Sequence, residues 1–165
     1  MKLKKFYQLL KYSLATTVLS LTLSATPSQA YIPKQMYTDS SEAYCLAQAI
    51  YFEAKGEPII GQLAVGHVVL NRSKDSRFPT SICGVVQQTR HGCQFSWYCD
   101  GKTDVLPNNL QASKAKLIAS FLLLYKSPDI TNGALFFHAN YVQPRWAKRS
   151  ELTIEIGNHL FYRRP

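Results

Sequence analysis

An amphipathic helical stripe that stops short and at once begins again constrains this chain more than any other feature. Ala43, Leu46, Ala47, Ile50 and Ala54 recur at i, i+3, i+4, i+7 and i+11, which places them on one face of an α-helix. Asp39, Ser40 and Ser41 offer N-cap oxygens, and Glu42 falls near the positive end of the helix dipole. Gly56 suits the left-handed residue that closes a helix, and Pro58 blocks continuation. The spacing predicts one helix over 41–55 and a second after Pro58 that ends near Asn71 and Arg72. Ile60, Leu63, Ala64, His67 and Val68 share one face of the second helix.

Residues 73–109 are rich in turn signals, among them Phe78-Pro79, Cys83-Gly84, Asp100-Gly101 and Pro107. A third helix is expected over 110–125, with Ala115, Ile118, Phe121, Leu122 and Tyr125 inward. Asn132-Gly133 turns the chain into an aromatic, strand-like run over 134–142. Residues 152–156, a Gly157-Asn158 turn and residues 159–162 read as a closing hairpin. The expectation is a single α+β domain, helices early and a small antiparallel sheet late. With 165 residues, 46% of them hydrophobic, the chain can bury one core, which excludes a disordered tail, a collagen-like repeat and a multidomain receptor.

The N-terminus reads as a targeting segment rather than as part of that domain. Lys2, Lys4, Lys5 and Lys11 form a positive region without acids, residues 12–25 are apolar, and Ser28-Gln29-Ala30 offers small residues for cleavage. The apolar core of 14 residues is shorter than the roughly 20 that a spanning helix needs. Residues 1–30 are therefore expected to be a secretory signal peptide, 31–40 a lead-in and 41–165 the catalytic domain. The expected location is secreted or periplasmic, in the cell envelope, with no stable membrane anchor after cleavage. Loss of the four lysines takes the formal charge from +9 to +5. A surplus of that size suits an anionic polymer and does not specify nucleic acid.

Cys45, Cys83, Cys93 and Cys99 all follow the targeting segment, and thiols in an oxidising compartment pair. Cys93 and Cys99 enclose five residues around a turn, which favours that pair and leaves Cys45 with Cys83. A zinc site competes for the same residues, but no CxxC occurs and none of the four has a His at ligand spacing. No metal is expected.

Glu53 stands apart from the other acids. It borders the buried stripe in the last turn of its helix, where both the helix dipole and an apolar wall disfavour the charged carboxylate. A carboxyl that keeps its proton near neutrality can protonate a glycosidic leaving oxygen. The competing reading is a solvated residue at a helix end. Glu57 can serve as a second carboxylate on a sugar, or it can bond backbone amides and fix the turn before the second helix; the latter role is favoured. Residues 93–101 pack Gln94, Phe95, Ser96, Trp97 and Tyr98 into one loop, a composition that suits sugar rings or a small satellite core. His138, Asn140, Tyr141, Pro144 and Trp146 form a second polar-aromatic cluster. HExxH, GxSxG and glycine-rich phosphate loops are absent.

The run Ala49-Ile50-Tyr51-Phe52-Glu53-Ala54-Lys55-Gly56-Glu57-Pro58 resembles the signature of the SleB/CwlJ-type cell wall hydrolase family. The likeness continues through residues 61–66 and 69–72, Phe78-Pro79, 83–86, Cys93-Gln94-Phe95-Ser96 and Asp100-Gly101, and resumes at 137–146 and 156–163. It implies a lysozyme-like catalytic domain that acts on peptidoglycan glycan strands, with Glu53 as acid/base and no cofactor. For members that behave as lytic transglycosylases it implies a route without a second protein carboxylate, in which the muramic acid C6 hydroxyl closes a 1,6-anhydro ring. Gln94, Phe95, Ser96, His138 and Tyr141 are the expected substrate contacts, Glu57 a supporting residue, peptidoglycan the partner and a monomer the working form. Lys55 departs from the Arg frequent in the family and loses a forked donor. The chain also lacks the separate peptidoglycan-binding domain of some germination members, so spore-cortex specificity is not expected. Two rivals are an N-acetylmuramoyl-L-alanine amidase, usually a zinc chemistry, and a non-catalytic wall-binding module.

Overall fold

The computed structural model describes residues 40–90 and 92–163. The expected signal peptide and residues 31–39 of the lead-in lie outside them. Helix α1 spans Ser41–Ala54, one residue short of the expected end, and Ser40 caps it by accepting from the Ala43 amide at 3.2 Å. Helix α2 spans Ile59–Arg72, and the Pro58 carbonyl accepts from the Gly61 and Gln62 amides in its first turn. The turn-rich stretch holds a short helix α3, Ile82–Val86, and a 3₁₀ turn over Ser96–Cys99. Helix α4 spans Leu110–Tyr125, with the Asn109 side chain accepting from the Ala112 amide at 2.8 Å. Strands β1 (Phe136–Ala139), β2 (Glu151–Ile156) and β3 (His159–Arg163) form one antiparallel sheet in the order β1-β3-β2. Helices early and a small sheet late is the α+β order expected.

Helix α1 is the axis of the core. Leu46, Ala47, Ala49 and Ile50 are wholly buried, and α2, α3 and α4 pack around them with Ile118, Ala119 and Leu122 of α4 inward. Gly66 allows the tight approach: a Cβ there would collide with Leu122 and stand 3.3 Å from the Ile50 Cδ1. The opposite face of α2 supplies Ala64, Val65 and Val68 to a second cluster with Ala134 and Phe161, so α2 is wedged between the helices and the sheet. That double burial corrects the single stripe read from sequence. Ile60 is 48% exposed, while Gln62, Val65 and Val69 are buried. Phe121 and Tyr125 of α4 also face solvent rather than the core, because only every third or fourth residue of that helix meets α1. The strand read over 134–142 is four residues long, since β1 pairs with β3 only from Phe136 to Ala139.

Both expected disulfides are present. Cys45–Cys83 ties α1 to α3 with a Cα separation of 5.2 Å, and Cys93–Cys99 closes the 3₁₀ turn at 6.2 Å. Glu42 reinforces the first tie: its carboxylate accepts from the Ile82 amide at 2.6 Å and from the Cys83 amide at 3.4 Å, at the start of α3. Among the described residues no helix is long and apolar enough to cross a membrane.

Candidate active site

A cleft of about 300 Å³ opens beside the end of α1, lined by Glu53, Arg72, Gln94, Ser96, Phe137 and Trp146, with Cys93, Phe95 and Phe136 completing the wall. The side chains arrive from five parts of the fold. Glu53 comes from the last turn of α1 and Arg72 from the last residue of α2. Residues 93–96 come from the loop closed by the Cys93–Cys99 bridge, the two phenylalanines lie on β1, and Trp146 sits on a 3₁₀ turn over Arg145–Arg149.

Glu53 is half-buried, and burial pushes its carboxyl pKa above the ordinary value. Two groups pull it partly back. The Trp97 indole N–H lies close enough to favour the carboxylate without reaching full hydrogen-bond geometry, and the Arg72 cation acts through space. Trp97 is placed by stacking on Phe52 of α1, ring centroids 4.6 Å apart and planes 23° apart. The balance leaves a carboxyl that holds its proton more tightly than an exposed Glu.

Arg72 is a buried cation, only 3% exposed. Its Nε donates to the Leu135 carbonyl at 2.7 Å, and its Nη1 has no hydrogen-bond partner among the described residues. The guanidinium lies over three rings, 5.4 Å from Phe78, 5.4 Å from Phe95 and 5.8 Å from Phe136. Burial drops its pKa to about 10 while Glu53 holds it up, so it stays charged at neutral pH. Sequence spacing marks Arg72 only as the end of α2 and as part of the family-like run 69–72. One signal was available: it lies seven residues beyond Val65 and four beyond Val68, on the buried stripe of α2.

Glu57 does not line the cleft. Its Oε2 accepts from the Asn158 backbone amide at 2.9 Å and its Oε1 from the Asn158 side-chain amide at 3.1 Å, which ties the α1–α2 turn to the β2–β3 hairpin. Gly157, at φ +61°, is left-handed, and a Cβ on it would collide with the Glu57 carboxylate. The five expected substrate contacts are not all brought together. Gln94, Phe95 and Ser96 line the cleft, although the Phe95 ring is buried in the Arg72 box. His138 stands behind it: a carbonyl only accepts, so Nδ1 donates to the Ala139 oxygen at 2.9 Å, and Nε2 lies 3.0 Å from the Tyr162 hydroxyl oxygen. Tyr141 is 84% exposed and lines neither this cleft nor its neighbour, because β1 ends at Ala139 and the chain turns outward. Among the described residues no three His, Cys, Asp or Glu side chains are grouped to hold a metal.

The family model for cell wall hydrolases matches residues 56–162, a span that opens just past Glu53. The spore cortex-lytic enzyme of Bacillus cereus is 34% identical over 117 residues, covering 70% of this chain and 42% of that protein. The spore cortex-lytic enzyme of Halalkalibacterium halodurans is 32% identical over 126 residues, covering 76% and 35%. The chain thus spans less than half the length of these curated relatives. Two solved structures share its lysozyme-like fold at almost their full length. The catalytic domain of the germination-specific lytic transglycosylase SleB from Bacillus anthracis superposes with a TM-score of 0.60 at 32% identity, covering 75% of this chain and 96% of that one. The catalytic domain of Bacillus cereus SleB gives 0.59 at 31%, covering 78% and 96%. Matched along most of its length by the family model and along nearly all of two catalytic domains in fold, the chain belongs to the cell wall hydrolase family.

Proposed function

We propose that this protein cuts the glycan strand of peptidoglycan between N-acetylmuramic acid and N-acetylglucosamine, as a lytic transglycosylase with Glu53 as its acid and base. The observation that carries this reading is the isolation of Glu53: among the described residues no other carboxylate lines its cleft, and burial raises its pKa. The protonated carboxyl gives its hydrogen to the glycosidic oxygen as the C1–O bond breaks, leaving positive charge on the muramic acid ring. The resulting carboxylate takes the proton of the C6 hydroxyl, and O6 bonds to C1 to close the 1,6-anhydro ring. Arg72 stabilises the carboxylate that forms as the proton leaves in the first half, and the aromatic wall suits apolar sugar faces. Gln94 and Ser96 supply polar contacts at the sugar edges, and Phe95 contributes through the wall it braces. His138 acts behind the wall through Tyr162, and Glu57 holds the α1–α2 turn that presents Glu53. Tyr141 takes no part.

The protein works as a monomer outside the cytoplasm, delivered by cleavage of residues 1–30, with 41–165 as the catalytic domain. The names of the SleB relatives and the peptidoglycan chemistry of the family support this placement. Mass spectrometry of products from purified sacculi tests the reaction. Anhydro-muropeptides are expected; reducing-end muramic acid would replace ring closure by water attack, and free stem peptides would make the protein an amidase.

A further inference from the structure

A second cavity of about 310 Å³ adjoins the cleft, and the mechanism above does not use it. Trp146 stands between the two. Its ring lines the first cleft and meets Phe136 at 5.8 Å, while its other neighbours, His138 at 5.5 Å and Tyr162 at 5.4 Å, line the second. The cavity presents alternating chemistry. Asn140, Gln143 and Lys148 bring polar side chains that have no hydrogen bond or ion pair among the described residues, and Val142, Pro144, Ala147 and Leu160 bring apolar surface. The 3₁₀ turn that carries Trp146 holds Arg145, Lys148 and Arg149 within five residues, and none of them is ion-paired among the described residues. Burial, and after it the nearby Glu155, raise the Tyr162 pKa.

The chemistry of the substrate supplies the occupant. Muramic acid carries its peptide through the lactyl ether at C3, on the same ring whose C1 is cut, so a strand seated at Glu53 must send its stem peptide past the cleft wall. Stem peptides alternate alanyl methyl groups with free carboxylates, which matches small apolar patches beside an unpaired cation and two amides. We propose that the cavity between His138 and Lys148 binds the acidic stem peptide of the muramic acid at the scissile bond, so that the enzyme selects peptide-bearing strands over bare glycan. This inference rests on the glycan-cleavage reading and names the part of the substrate that sets its specificity.

The test compares two strands of the same length, one with intact stem peptides and one stripped of them by an amidase. The wild-type protein is expected to show a kcat/KM at least about ten-fold higher on the peptide-bearing strand, the scale of one charge-assisted hydrogen bond. Lys148→Glu and Gln143→Ala change exposed side chains and are expected to shrink that ratio, Lys148→Glu to about two-fold or less. A soluble L-alanyl-γ-D-glutamyl peptide should inhibit the wild-type protein and act more weakly on Lys148→Glu. Equal rates on the two strands in the wild type, or a ratio untouched by Lys148→Glu, would overturn the proposal. The effect is a ratio and is separable from the parent reading: if neither strand is cut, glycan cleavage itself fails and the peptide site falls with it.

Discussion

Glu53 and Glu57 are four residues apart, and their surroundings treat a carboxyl group in opposite ways. At the α1–α2 turn, Glu57 has both oxygens occupied by Asn158, and Gly157 leaves room for them. At the end of α1, Glu53 has a half-buried oxygen pair, a nearby indole N–H short of a full bond and a buried cation acting at a distance. Full pairing makes an acid a strut between two elements, and incomplete pairing leaves an acid whose proton can move. One helix end thus separates a fully paired carboxyl from one left partly unpaired.

The sharpest way to break that contrast is Glu53→Gln. Product release from sacculi should fall about 10²- to 10⁴-fold, the usual contribution of a positioned acid/base, with the fold intact by circular dichroism. The same variant tests the electrostatics through the sign of its pH effect. Because the folded-state pKa of Glu53 is raised, its charge opposes folding, and that penalty grows as pH rises from the ordinary carboxyl range through the folded pKa. Glu53→Gln should therefore melt higher than the parent at pH 8, and the gap should close below about pH 4. A gap that widens toward acid would mean that the carboxylate is the stabilised form.

Gly157→Ala attacks the other side of the comparison. The left-handed backbone and the collision with Glu57 together should cost about 2 kcal/mol, read as a drop in Tm, while the activity of the folded fraction persists. An unchanged Tm would mean that the Glu57–Asn158 tie bears no load. The smallest effect concerns Arg72. Arg72→Gln removes a cation that lowers the Glu53 pKa, so the alkaline limb of the pH–rate profile should move up and kcat should fall about ten-fold. Arg72→Lys should restore most of the limb's position, because it keeps the charge even without the fork. A drop in activity with no shift of the limb would make Arg72 a packing residue only.

Local chemistry explains what was legible in the sequence. Pro58 acts through backbone geometry within a few residues, so the end of α1 fell within one residue of its expected place, although Gly56 does not take the left-handed conformation expected of it. The Gly157-Asn158 hairpin and the Cys93–Cys99 bridge were read on the same footing, from short spacings, and Cys45–Cys83 followed as the remaining pair. The cleft was only half visible. Glu53 announced itself because its position on the stripe is a property of one helix. Arg72, Phe136, Phe137 and Trp146 meet it only after α2 is wedged against the sheet, and no spacing along the chain encodes that meeting. Tyr141 was grouped with His138 by proximity in sequence, and β1 ends between them. Ile60 and Tyr125 were placed inward by periodicity, which gives the width of an apolar face but not which part of it a neighbour covers.

The Cys45–Cys83 bridge has a consequence for recovery after damage. It joins positions 38 residues apart, and the ring it closes contains Glu53, Glu57 and Arg72 together. A covalent ring of that size removes about 4 kcal/mol of disorder from the unfolded chain. A molecule melted with this bridge intact therefore still carries Glu53 and Arg72 on one short tether, and renaturation starts with the two side chains already corralled.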